Sequence, residues 1–286
     1  PVWPEVMWLP SGISPEARLL LLGRALRAFC DGFVAILLPA YLLALGLGTW
    51  EVGLISTATL LGSALLTLAL GHWGHRFDPR RLLLAAAALM CSTGLLVAGL
   101  SDFWPLLIVA FVGTINPSSG DVSVFLPLEH ARLSAAAQGD LRTTLFSRYT
   151  FVGAVCAALG ALATGLPDLI ASHGLDRLTA LRVMFVGYGL VGAAVFLLYR
   201  RLPVRLTHTE AVRPAPRGES KRTVLKHAAL FSLDAFAGGL VLNTLLALWL
   251  FERFALSLAA AGAFFFWAGL LTAISQLAAP IVARRI

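Results

Sequence analysis

The stretch from Leu19 to Leu47, LLLLGRALRAFCDGFVAILLPAYLLALGL, decides the fold. A helix needs about 20 mainly apolar residues to cross a hydrocarbon core roughly 30 Å thick, and this run exceeds that length. A strand of a membrane barrel would be about 10 residues long and would alternate apolar with polar side chains; this run does neither. The same reading extends along the chain. Of 286 residues, 58% are hydrophobic and 13% charged, with a mean hydropathy of +0.83, whereas a soluble domain carries about a quarter charged residues. Eight apolar stretches of spanning length lie near 19–46, 51–72, 81–101, 103–126, 143–166, 181–200, 224–250 and 259–283. The expected fold is an all-α membrane protein, a polytopic helical bundle. Its first apolar run is of spanning length and lacks a small-residue cleavage site, so it reads as a membrane helix and not as a cleaved leader.

The net charge of +7 would, in a soluble protein, point to nucleic acid. The positions of the basic residues point instead to topology. With the N-terminus in the cytoplasm, Arg18, Arg76, Arg80, Arg81, Arg132, Arg142 and the dense run from Arg200 to Lys226 all face inside. Arg177, Arg182 and Arg253 fall outside or near that face. This asymmetry is the one that orients membrane proteins, so the expected partner is the lipid bilayer and not nucleic acid. Cys30, Cys91 and Cys156 lie in apolar runs without CxxC spacing and read as packing residues, with no disulfide, metal site or cofactor expected.

The segment RRLPVRLTHTEAVRPAPRGESKR, Arg200 to Arg222, is the one long polar, proline-bearing stretch after the sixth apolar run. It divides the chain into an N-terminal cytoplasmic segment (1–17), a six-helix half (18–200), a basic cytoplasmic linker (201–223) and the beginning of a second half (224–286). The residues after the linker are similar to the start of the chain. FSLDAFAGG lies over AFCDGFVAI, LSLAAAGAFFF over LGTWEVGLIST, and PIVARRI over GHWGHRF. A parallel repeat of six-helix halves is a transporter architecture, and completing the second half takes four more helices, on the order of 120 residues.

The loop GHWGHRFDPRR, Gly71 to Arg81, joins the second and third apolar runs. It resembles the loop signature of the major facilitator superfamily: Gly, three variable residues, Asp, Arg, one variable, Gly, then basic residues. Gly71, Arg76 and Arg80 match. His75 stands where the family has its acid, Asp78 where it has the second glycine, and Pro79 where it has a basic residue. The resemblance implies a secondary transporter, monomeric when full length, in which two halves rock around a mid-membrane site. Such a protein moves a small-molecule solute with a proton or another coupling ion, and it has no enzymatic chemistry and no cofactor. Within the family the chain resembles bacterial permeases, which implies a bacterial plasma membrane. The family often places a basic residue in helix four that helps proton coupling, and none occurs from Phe103 through His130. Its antiporter signature in helix five has a glycine-proline pair, whereas Gly160 precedes Ala161 here. Gly153, Ala157 and Ala161 therefore read first as a small-residue packing face.

Candidate site residues are polar groups inside the apolar runs. Arg24, Arg27 and Asp31 stand at i, i+3 and i+7 and share one helix face. Arg24 and Arg27 are near enough to the cytoplasmic headgroups to snorkel. Asp31 sits roughly 20 Å into the helix, where a carboxylate facing lipid would cost about 2.5–3.5 kcal/mol on insertion scales. Two readings of Asp31 stay open: a fixed pair with Arg27, or a site for a proton or cationic group. Asp234, followed by Gly238 and Gly239, repeats the pattern after the linker. The segment NPSSGDVSVFLPLEHARL adds Asn116, Asp121 and Glu129, with Pro117 and Gly120 pointing to a kinked or partly opened helix. Arg148 supplies a positive charge from the fifth run, with Glu129 or Asp121 as its expected partner. His75 and His130 beside Glu129 read as cytoplasmic loop groups. Two other readings remain. A transport-inactive receptor or scaffold of the same fold would explain the altered loop motif. A membrane-embedded enzyme finds no metal motif or nucleophile elbow in support.

Overall fold

The structure, a computed structural model, describes residues 14–118, 123–136, 140–203 and 241–283, with the short pieces 225–226, 229–230 and 232–233. Asp121, Asp234, Gly238, Gly239 and most of the 201–223 linker lie outside the described residues, as does the side chain of His75.

The expected all-α bundle is what forms. Its helices are α1 (Pro15–Ala44), α2 (Thr49–Trp73), α3 (Pro79–Gly99), α4 (Phe103–Val112), α5 (Phe125–Ala136), α6 (Asp140–Leu162), α7 (Leu166–Ser172), α8 (Arg177–Tyr199), α9 (Asn243–Phe254) and α10 (Leu258–Ala283). Among the described residues, six are long and apolar enough to cross a bilayer: α1, α2, α3, α6 continued through α7, α8 and the described part of α10. Local chemistry sets their ends. Ser14 caps α1 by accepting from the Ala17 amide, with Pro15 following at a position whose missing N–H costs nothing. Gly46, at φ +84°, turns the chain out of α1 while the Leu47 amide bonds back to the Leu42 carbonyl. Asp78 caps α3 by accepting from the Arg80 amide, again with proline next. Asp176 caps α8 through the Thr179 amide.

The arrangement is centred on α1. In its spanning window 78% is buried within the protein, against at most 44% for any other spanning helix. It packs against α6 and α8, with α5, α9 and α10 completing its surround, while α3 packs along α8 and α2 along α4. A helix so enclosed presents little surface to lipid, which explains how it tolerates Arg24, Arg27 and Asp31. The α1–α6 contact is close because glycines remove side chains from it. A methyl group at Gly32 would land on the Ala157 carbonyl, and one at Gly160 on the Phe29 carbonyl.

The fourth apolar run departs from a single span over 103–126. The described helices there are α4 and α5, with no helix over residues 113–118. Gly113 ends α4 with its amide on the Val109 carbonyl, and Pro117 removes a donor from any continuation. Asn116 Oδ1 then accepts from both the amide and the hydroxyl of Ser118, at 3.0 and 2.9 Å, folding the chain into a local turn. In the seventh run the described helix is α9, which continues past residue 250 to Phe254.

Candidate functional site

Two polar centres lie along α1. The one nearer its N-terminus is built on Glu129 of α5, which is 0% exposed. Its Oε2 accepts from Arg27 Nη2 at 2.5 Å and from the Tyr149 hydroxyl of α6, while Oε1 accepts from the Tyr199 hydroxyl of α8. Four helices thus converge on one carboxylate. The Arg27 guanidinium also lies 4.0 Å from the Phe125 ring centroid, a favourable face for a cation. Arg24, 6% exposed, lies 5.2 Å from the Tyr149 ring centroid in space opened by Gly153. It is buried between helices and does not reach out to headgroups.

One step further toward the same end, Arg132 of α5 pairs with Glu16 of α1 at 2.6 Å and donates to the Pro203 carbonyl at 2.8 Å. Arg132 is 3% exposed. Glu129 and Arg132, three residues apart on one helix, thus hold Arg27 and Glu16 of α1. These contacts correct several expectations. Arg27 pairs with Glu129 and not with Asp31. Glu129 takes Arg27 and two tyrosines and not Arg148. Arg132 is a core group, not a loop charge, because the helix carrying it packs against α1, α3 and α6. His130 is half-buried, with its ring 4.9 Å from Phe146 and 5.2 Å from Tyr149.

The second centre lies one turn and more along α1. Asp31 is 5% exposed, and no described residue donates a hydrogen bond to it; Arg24 and Arg27 are the cations whose charge reaches it. Its field also reaches Tyr188 of α8, whose hydroxyl meets the Thr114 carbonyl and hydroxyl, each at 3.0 Å. Two residues beyond Thr114, Asn116 is 1% exposed. With Oδ1 held by Ser118, its Nδ2 is buried without a partner among the described residues. Next to it, the Pro117 carbonyl accepts from both the amide and the hydroxyl of Thr244, each at 3.1 Å. Thr244 Oγ1 also bonds the Ala35 carbonyl at 2.8 Å. Thr244 therefore ties Pro117, next to Asn116, to Ala35, one helical turn from Asp31 on α1, which sets the neighbourhood of Asp31 and Asn116.

The 71–81 loop forms a third arrangement. Arg80 Nη2 donates to the Arg200 carbonyl at 2.5 Å, tying the loop to the end of α8, where helix carbonyls lack internal donors and attract cations. Asp78 is occupied as the α3 cap, while Gly71 and Arg76 are exposed. Arg148 is half-buried on α6.

Sequence reasoning missed Glu16, Tyr149, Tyr188, Tyr199 and Thr244. The available signal was a hydroxyl or carboxylate within an apolar run, since a buried tyrosine hydroxyl needs a partner. Their partners, Glu129 for Tyr149 and Tyr199, Thr114 for Tyr188, Arg132 for Glu16, and Ala35 and Pro117 for Thr244, are set by helix packing, with sequence separations of 20 to 209 residues.

Among known proteins, an uncharacterized membrane protein of Saccharomyces cerevisiae is 25% identical over 316 aligned positions, which cover 98% of this chain and 70% of that protein. The sequence model of the Major Facilitator Superfamily matches residues 20–286, so this bundle with buried charge on its central helix belongs to that superfamily of membrane transporters.

Proposed function

We propose that the protein is a secondary active transporter that moves a small solute by alternating access, with Asp31 taking up and releasing the coupled proton. The observation that carries this reading is the division of labour on α1: Arg27 is held by Glu129, while Asp31 is buried without a hydrogen bond from a described residue. A dry carboxylate in that setting favours its neutral form or an adjacent cation. Closure of the site around it therefore draws in a proton or a cationic group.

Asn116 supplies the complementary element, a buried amide donor left open for a solute oxygen. An unmade buried hydrogen bond costs about 1–3 kcal/mol, which a solute acceptor would offset. Asp121, Asp234 and Arg148 extend this set of candidate site groups. Gly71, His75, Arg76, Asp78 and Arg80, the residues of the signature loop, take part in the conformational change between the two halves. If proton and solute displace each other at Asp31, the exchange works as export. The N-terminus and the 201–223 linker face the cytoplasm, in a bacterial plasma membrane, and the full-length chain acts as a monomer.

The test is flux into proteoliposomes holding the full-length protein, for a panel of radiolabelled solutes with and without an imposed pH gradient. Concentrative movement that collapses with the gradient is expected. Accumulation that ignores the gradient would sink the proton role, and no movement of any solute would favour a receptor or scaffold.

A further inference from the structure

Pro39 stands inside α1. It has no N–H, so the carbonyl four residues earlier, Ala35, loses its helical donor. That carbonyl accepts from Thr244 Oγ1 of α9 at 2.8 Å. The same hydroxyl and the Thr244 amide meet the Pro117 carbonyl at the break between α4 and α5, each at 3.1 Å. One residue, 0% exposed, thus satisfies the Ala35 carbonyl, freed by Pro39, and the Pro117 carbonyl at the break between α4 and α5, 209 and 127 positions away in sequence. Unpaired carbonyls at membrane depth are costly, so both would be strongly held by any donor offered.

We infer that Thr244 is a latch, a positioning residue whose hydroxyl fastens α9 across the Asp31 and Asn116 neighbourhood and must let go for that neighbourhood to open. Its place fits that role. Ala35 is one helical turn from Asp31, and Pro117 adjoins Asn116. A hydroxyl bond is suited to a cycle because it is directional when made, yet modest in net strength. Ordinary packing of the threonine methyl would hold the helices equally with valine at this position; a latch would not. The inference rests on the alternating-access reading proposed above, but its test needs neither solute nor gradient.

The test uses the full-length protein with Cys30, Cys91 and Cys156 replaced by alanine and a reporter cysteine at Ile115, which is 3% exposed. A charged, membrane-impermeant thiosulfonate is applied to right-side-out and to inside-out vesicles. Thr244→Val should raise the labelling rate from one face about fivefold to tenfold, the equivalent of one neutral hydrogen bond. Thr244→Ser, which keeps the hydroxyl, should label within about twofold of the parent, as expected if the hydroxyl is what matters. Pro39→Ala returns an amide donor to the Ala35 carbonyl and should raise labelling without touching Thr244. Combined with Thr244→Val it should add less than its separate effect, because both remove the same bond. An unchanged rate for Thr244→Val from both faces, a Thr244→Ser rate equal to that of valine, or no effect of Pro39→Ala would each overturn the latch. Should Thr244→Val fail to give a monodisperse protein, Pro39→Ala decides alone.

Discussion

Glu129 and Asp31 are two buried acids that the surrounding side chains treat in opposite ways. Glu129 receives a guanidinium and two hydroxyls, a set of charge-assisted bonds that fixes its position. Removing one partner of such a buried pair typically costs about 3–5 kcal/mol, because the other charge is left without compensation. Glu129→Gln is therefore expected to lower the unfolding temperature in detergent sharply, even though glutamine still accepts from a tyrosine. The double variant with Arg27→Gln should recover part of the loss. A single variant as stable as the parent would show that Arg27 finds another anion. Asp31 predicts the reverse pattern. Asp31→Asn mimics the protonated acid, so folding and solute counterflow should persist while gradient-driven accumulation is lost. Adding Arg27→Gln should not restore accumulation, since Arg27 is bonded to Glu129 and not to Asp31. Restored accumulation in the double variant would return Asp31 to the role of a simple neutraliser.

At the level of elements, the α1–α6 contact depends on the absence of side chains. Gly32 faces the Ala157 carbonyl, and Gly160 faces the Phe29 carbonyl. Because backbone atoms cannot give way as a flexible side chain does, Gly32→Ala should separate the two helices and destabilise the protein by about 1–3 kcal/mol, an overpacking cost. Gly71→Ala, at an exposed helical position of α2 with open space around it, serves as the control and should leave the thermal midpoint unlowered, since alanine favours the helix. The all-α class and the spans of α1, α2, α3 and α8 were legible in the sequence because apolar length is a local property, whereas the single span expected over 103–126 did not form. So was the disturbance at Asn116 and Pro117, where polar residues and a helix breaker coincide. The partners of Glu129 and Thr244 were not legible, since a carboxylate carries no mark of which distant helix will meet it. Nor was the inward placing of Arg132. A charge eight residues beyond Val124 reads as loop until the helix carrying it is seen to run on, as α5, to Ala136.

For the molecule as a whole, three contacts gather one set of helix ends. Arg132, near the end of α5, meets Glu16 at the start of α1 and the Pro203 carbonyl at the start of the linker. Arg80 of the 71–81 loop meets the Arg200 carbonyl at the end of α8. The N-terminal end of α1, the loop with the facilitator signature and the beginning of the basic linker therefore lie on one side of the bundle. The cytoplasmic orientation proposed above for this side rests on charge. This side carries Arg18, Arg76, Arg80, Arg81, Arg200 and Arg201, whereas Arg177 and Arg182 begin α8 at the other. Basic residues flanking membrane helices are retained in the cytoplasm. The expected outcome is that a cysteine placed at Ser220, in a background without Cys30, Cys91 and Cys156, reacts with a membrane-impermeant maleimide only after cells are lysed. A cysteine at Leu175, just before α8 and on the opposite side, should react in intact cells. Labelling at Ser220 in intact cells would invert the topology and with it the direction assigned to export, while the contacts holding these helix ends together would stand.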